Sequence, residues 1–146
     1  MHDILTVGDV QEMTYTVPAD KTVPHLYPES EDYRIMPEVF ATGFMVGLLE
    51  WSAIRALRPV LEEGEGSLGT MVNILHSAPT PPGARLTVTA RCVRVDKNYV
   101  EWEVEARDDD GDVAAKGTHG RHVIDTGRFL KRVAAKAERL VPVRAS

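Results

Sequence analysis

The sequence predicts an α+β domain, with one long apolar helix packed on one antiparallel sheet. Two observations carry this. The stretch FATGFMVGLLEW, Phe40 to Trp51, begins an apolar segment that keeps helical spacing through Ile54 and Leu57 until Pro59 stops it. Downstream, residues 68–77, 84–96, 98–108 and 112–125 read as four successive strands separated by turn sequences. With 146 residues the chain suits a single domain, 1–146, whose core needs neither disulfides nor metal.

The elements follow in order. Residues 9–17, DVQEMTYTV, alternate as a strand does, and Pro18 ends them. Residues 18–38 carry Pro18, Pro24, Pro28 and Pro37 among scattered acids. An irregular segment of that length in a small domain is usually a functional lid or disordered. Tyr27 and Tyr33 give this one something to pack with, which favours a lid. In the helix that follows, Thr42 is a suitable N-cap residue, and Pro37 could start the helix earlier. The glycines at 43 and 47 cost roughly 1 kcal/mol each in helix propensity. They make sense if a backbone or a substrate comes close there. TPPG (80–83) and DDDGD (108–112) are the clearest turns between the strands. YVEWEVEAR sets Val100, Trp102, Val104 and Ala106 on one face and charges on the other, the mark of a half-buried antiparallel strand. RFLKRVAAKAERLV (128–141) reads as a short amphipathic helix within a C-terminal helix and tail spanning 126–146. This order is that of the hot-dog fold, a sheet wrapped round a central helix. Such domains commonly pair edge to edge as homodimers, which covers an exposed strand edge.

Composition removes several function classes. A formal net charge of -5 argues against nucleic-acid binding. Cys92 is the only cysteine, so no disulfide framework or thiolate metal cluster is expected. No stretch approaches the ~20 apolar residues that cross a bilayer, and MHDILTVGDV lacks a secretory pattern. No membrane partner and a cytoplasmic location are the expectations. GEGSLG follows a helix and not a strand, so it fails as a dinucleotide fingerprint, and there is no P-loop.

Three residues stand out for chemistry. Glu50 lies beside Leu48, Leu49 and Trp51, where a carboxylate pays desolvation unless it is partnered or reaches a wet cleft. The bland alternative places it on the solvent face. His76, in TMVNILHSA, is either a hydrogen-bonded core histidine or an acid–base group titrating near neutrality. Thr42 either caps the helix or presents a hydroxyl where the helix N-terminus favours developing negative charge. His119 and His122, at H-x-x-H spacing in a strand, point to opposite faces, which argues against metal binding. Arg121 beside them could bind an anion or pair with an acid.

KTVPHLYPES, PEVFATGFMVGLLEW, GEGSLGT, the histidine of NILHSA, TPPG and GTHGR together resemble the fluoroacetyl-CoA thioesterase family of small hot-dog enzymes. The likeness runs in register over roughly residues 7 to 126, is most specific in the helix, and is poor in the C-terminal helix. It implies hydrolysis of a short acyl-CoA thioester, fluoroacetyl-CoA among them, with no cofactor beyond the CoA of the substrate. The resemblance puts a catalytic threonine, glutamate and histidine on Thr42, Glu50 and His76. It also implies that Gly69 lies near the thioester and that Arg121 matches a family arginine. At the lid positions of Tyr33 and Met36 the family enzyme has phenylalanines that shape the acyl pocket, so hydrolysis is implied more firmly than fluorine selectivity. The competing readings are a hot-dog acyl-CoA hydratase or dehydratase, which lacks a motif here, and a non-catalytic acyl-CoA-binding protein. Thr42 and Glu50 are eight residues apart, about 12 Å along a helix. Either two copies of the helix pair antiparallel in a dimer, or the chain turns at Gly43.

Overall fold

The computed structural model describes residues 1–2 and 5–142. Five strands form one antiparallel sheet: β1 (Val10–Thr16), β2 (Glu65–His76), β3 (Arg85–Asp96), β4 (Tyr99–Asp108) and β5 (Val113–Asp125). Their order across the sheet is β1-β3-β4-β5-β2. Between β1 and β2 run a one-turn helix, α1 (Glu31–Arg34), and the long helix α2 (Thr42–Leu57); helix α3 (Thr126–Leu140) follows β5. The sheet curls round α2, which touches all five strands. This is the hot-dog arrangement, and the expected element order is borne out. Residues 143–146 of the expected tail lie outside the described residues.

The alternation in the sequence sets the core. Val100, Trp102, Val104 and Ala106 of β4 are buried, as are Leu86, Val88, Ala90 and Cys92 of β3. From the other layer α2 contributes Met45, Leu48, Leu49, Ala53 and Leu57. Full burial of each large member stabilises the fold by about 1.5–3 kcal/mol. The lone cysteine is thus a small buried hydrophobe in the sheet.

The structure corrects or refines three expectations. Thr42 does not cap α2. The N-cap is Ala41, in extended conformation and without a side-chain hydrogen bond, and Thr42 is the first helical residue. Its hydroxyl is therefore free to point elsewhere. The second strand begins at Glu65, three residues before the expected 68, because Gly66 and Leu68 already pair with Ile124 and His122. The lid segment is less irregular than expected. It holds 3₁₀ turns at Ala19–Lys21 and Val23–His25 and then α1, capped by Ser30.

That segment is anchored at its base. Thr22 bridges to Phe40, and Ala41 N–H donates to Lys21 O at 3.1 Å. Leu26 reaches α2 at Gly43, where an added Cβ would stand 2.9 Å from Leu26 Cδ2. One of the two helical glycines is thereby explained, since close approach of the lid needs that missing methyl. Beyond Gly47 there is open space. That glycine and Gly43 belong to an apolar slot lined by Tyr15, Phe40, Phe44, Leu48 and Trp51.

Candidate active site

Thr42 and His76 meet inside one chain. Thr42 stands at the start of α2, and His76 is the last residue of β2. Thr42 Oγ1 lies 2.8 Å from His76 Nδ1. With no capping side chain, the N–H groups of the first turn of α2, which begins at Thr42, are left without a side-chain acceptor. Burial pushes the imidazole below its ordinary pKa, opposed in part by the nearby Ala78 backbone. A neutral ring near pH 7 follows, one able to accept a proton. The other ring nitrogen, Nε2, is buried and has no hydrogen-bond partner among the described residues.

Glu50 sits two turns further along α2, in a different cluster. Its carboxylate Oε2 accepts from Arg121 Nη1 at 3.1 Å. The side chain is one-third exposed, whereas that of Arg121 is almost fully buried. Both remedies for an acid in an apolar helix are present: a partner cation and contact with water. Arg121 also donates through Nε to Ser67 Oγ (2.9 Å) and through Nη2 to Ser67 O (3.0 Å). Burial draws its pKa down, and the bond to Glu50 holds it up.

Local backbone geometry builds this second cluster. The β2–β5 register shifts between Gly69 and Met71, a bulge that leaves Gly69 opposite Arg121. A Cβ on Gly69 would lie 2.8 Å from Glu50 Oε2, 3.1 Å from His119 Cε1 and 3.3 Å from Arg121 Nη1. Gly69 is a glycine because the carboxylate, the imidazole and the guanidinium converge on its position.

The sequence-derived residues therefore fall into two groups. Thr42 joins His76, and Glu50 joins Gly69 and Arg121. Tyr33 packs on Tyr27 with ring centroids 5.2 Å apart, and Met36 is exposed at the lid tip. His119 and His122 do take opposite faces: His119 is buried, while His122 is exposed and bonds Thr70. Among the described residues no group of three His, Cys, Asp or Glu side chains could hold a metal ion. No helix among them is long and apolar enough to cross a membrane. Sequence reasoning missed three contributors: Ser67, Leu26 and the structural part played by His119. For His119 a signal existed, since residues 119 and 121 of one strand share a face.

Comparison with known proteins agrees with this architecture. The family profile described as fluoroacetyl-CoA-specific thioesterase matches residues 17–127. The fluoroacetyl-CoA thioesterase of Streptantibioticus cattleyicolor is 48% identical over 136 residues, 93% of this chain and 97% of that one. A solved structure of the fluoroacetyl-CoA thioesterase FlK superposes with a TM-score of 0.89 at 48% identity, covering 92% of this chain and 98% of its own. A thioesterase superfamily member of Thermus thermophilus superposes with a TM-score of 0.84 at 28% identity, covering 94% and 96%. Fold and relatives define a hot-dog thioesterase. Within that class, the chain belongs to the fluoroacetyl-CoA-specific thioesterase family.

Proposed function

We propose that this protein hydrolyses a short-chain acyl-CoA, fluoroacetyl-CoA among the candidates, to the free acid and CoA, with no metal or cofactor and in the cytoplasm. The observation that carries the reading is the 2.8 Å contact of Thr42 Oγ1 with His76 Nδ1 at the uncapped start of α2. A hydroxyl, a neutral base and backbone donors for an oxyanion are the parts that acyl transfer needs.

In this reading His76 takes the proton of the attacking hydroxyl as the new C–O bond forms at the thioester carbon. That hydroxyl is either Thr42 Oγ1 or a water beside it. The carbonyl electrons move onto oxygen, which the first-turn N–H groups of α2 stabilise. As the intermediate collapses, the C–S bond breaks and the imidazolium returns its proton to the thiolate of CoA. If Thr42 attacks, water then releases the acid from an acyl-threonine by the same proton route. A pre-steady-state burst of thiol equal to the enzyme concentration marks the Thr42 route, and its absence marks the water route.

Glu50 joins this chemistry through a homodimer. Strand β2 is an edge of the sheet, bonded within the chain to β5 alone. It carries Val72 and Leu75 at 48% and 67% exposure, and an apolar edge of this kind invites a second strand. Pairing across β2 sets two copies of α2 side by side. Glu50 of the partner subunit then approaches the vacant Nε2 of His76, completing in two chains what one chain separates by about 12 Å. Gly69 and Arg121 travel with Glu50 and face the acyl group from the partner's side. Tyr33 and Met36 close the pocket from the lid.

Free-thiol release from a panel of acyl-CoAs, with and without EDTA, tests the activity. Loss of turnover in EDTA that zinc restores would overturn the metal-free roles. Mixed chains test the shared site. Glu50→Ala and His76→Ala proteins, each impaired alone, should regain activity when refolded together, because the mixed dimer holds one intact site. Lack of recovery in a verified mixed dimer places all three groups in one chain, and sedimentation showing an active monomer removes the dimer.

A further inference from the structure

We propose that His119 is a positioning residue: a neutral imidazole that fixes Arg121 on Glu50 and releases that grip when it takes up a proton. The inference rests on the role given to Glu50 above and adds a residue to it.

Hydrogen-bond chemistry determines the ring's state. His119 Nδ1 lies 2.8 Å from the backbone oxygen of Met71. A carbonyl only accepts, so Nδ1 carries hydrogen. The opposite nitrogen, Nε2, is 3.2 Å from Arg121 Nη1. A guanidinium only donates, so Nε2 must present its lone pair. Both contacts are met together by one form alone, the neutral Nδ1–H tautomer. The side chain is 1% exposed, so water does not substitute for either partner.

The consequence falls on Arg121. Its Nη1 serves both Glu50 Oε2 and His119 Nε2, while Nε and Nη2 are held by Ser67. Four donor contacts leave the guanidinium a single orientation. His119 thus supplies Nη1 with a second acceptor beside Glu50, its Nε2 lying 4.0 Å from Oε2. Gly69 supplies the space, since any side chain there would meet His119, Glu50 and Arg121 at once.

Protonation reverses the arrangement. A hydrogen on Nε2 removes the acceptor from Arg121 and sets a second cation 3.2 Å from it. The same N–H turns toward Glu50 Oε2, which is 4.0 Å away. The charged groups facing His119 are Glu50 from α2, which favours the proton, and Arg121 from its own strand, which opposes it. Burial is the largest influence and opposes the proton, so the neutral form is the resting state at neutral pH. Acid would loosen Glu50 from Arg121 before the fold itself is lost.

The first test is independent of activity. Nitrogen-15 spectra of the full chain should show His119 as the neutral Nδ1–H tautomer at neutral pH. An Nε2–H tautomer, or a charged ring at pH 7, overturns the proposal. The second test uses three single variants and the His119→Leu/Glu50→Ala double variant, with kcat/KM and a pH profile for each. His119→Leu removes the acceptor and should lower kcat/KM about tenfold, and the loss should be non-additive with that of Glu50→Ala. His119→Gln keeps an acceptor and should recover most of that loss while removing one step from the acid limb. Additive losses, or a folded His119→Leu protein with wild-type kcat/KM and pH profile, overturn it too. If the wild type releases no thiol from any acyl-CoA, the proposed function fails while the tautomer result still decides this one. If His119→Leu does not fold, His119→Gln and the spectra decide alone.

Discussion

Two positions of α2, its amino end and its middle, hold opposite kinds of chemistry. At the amino end, Thr42 and His76 make one contact, and a buried imidazole nitrogen is left over. Two turns on, Glu50 is held by an arginine that is itself held by a serine and a histidine. A group that must pass protons is best left with an open valence and a depressed pKa. A group that must present a fixed charge is best surrounded by donors that cannot move. The same helix delivers both because its first turn is uncapped, while its third turn crosses a bulged strand beside a glycine.

The contrast breaks first at the loose end. His76→Ala should cost on the order of 10²–10⁴ in kcat with the fold intact. A fully active, stable variant would return His76 to the role of a core histidine. The fixed end should respond in stability as well as rate. Arg121→Met strands a partnered carboxylate and empties four donor contacts, for an expected loss of about 1–3 kcal/mol. The lower part of that range is favoured because Glu50 is partly wet. The thermal midpoint should fall by several degrees, and an unchanged midpoint would mean that solvent replaces the network without cost.

Acid acts on both positions. Both His76 and His119 have pKa values lowered by burial. The unfolded chain therefore takes up protons first, at the ordinary histidine value near about 6.5. Stability is full above that pH, declines as pH falls toward the depressed native values, and levels off below them. The acid limb of kcat/KM should likewise lie below the ordinary value, because His76 stays neutral longer in the folded protein. A limb at or above it would contradict the buried environment of the ring.

The smallest effect is expected from the lid. Met36→Phe should shift the ratio of kcat/KM for fluoroacetyl-CoA over acetyl-CoA, within the ~1–3 kcal/mol that pocket contacts of this kind supply. Unchanged ratios in Met36→Phe and in Tyr33→Ala would mean that the lid tip does not touch the acyl group. The contacts of Leu26 with Gly43 would then be the lid's main business.

Local patterns made most of the fold legible. The alternation of β4 is a short-range signal that places its residues on the right face, whereas the apolar run of α2 marks the helix but not its buried face: Trp51 and Ile54 of that run are exposed, and Met45, Leu49 and Ala53 are buried beside Leu48 and Leu57. The pairing of Glu50 with Arg121 is not of that kind. It joins residues far apart in the chain and depends on a bulge at Gly69 that no periodicity announces. Of the two readings open for Thr42, cap or presented hydroxyl, the cap fails because the helix begins one residue earlier than it requires. The family resemblance groups Thr42 with His76, and the approach of β2 supplies the contact, which no local pattern shows. The glycines at 43 and 69 were visible as letters, but their reason lies in what crowds them.

The two tryptophans occupy unlike surroundings: Trp102 is fully enclosed in the sheet, and Trp51, 46% exposed, stands on α2 against Tyr15 at the edge of the apolar slot. Light emission from an indole depends on how much water surrounds it. The enclosed ring should emit at the blue end and resist quenching by iodide, so it reports global unfolding. The open ring should emit further to the red and yield to iodide, so it reports events on the helix that carries Thr42 and Glu50. Unmodified protein thus offers two optical channels, one for the integrity of the sheet and one for occupancy beside the helix, without any attached dye.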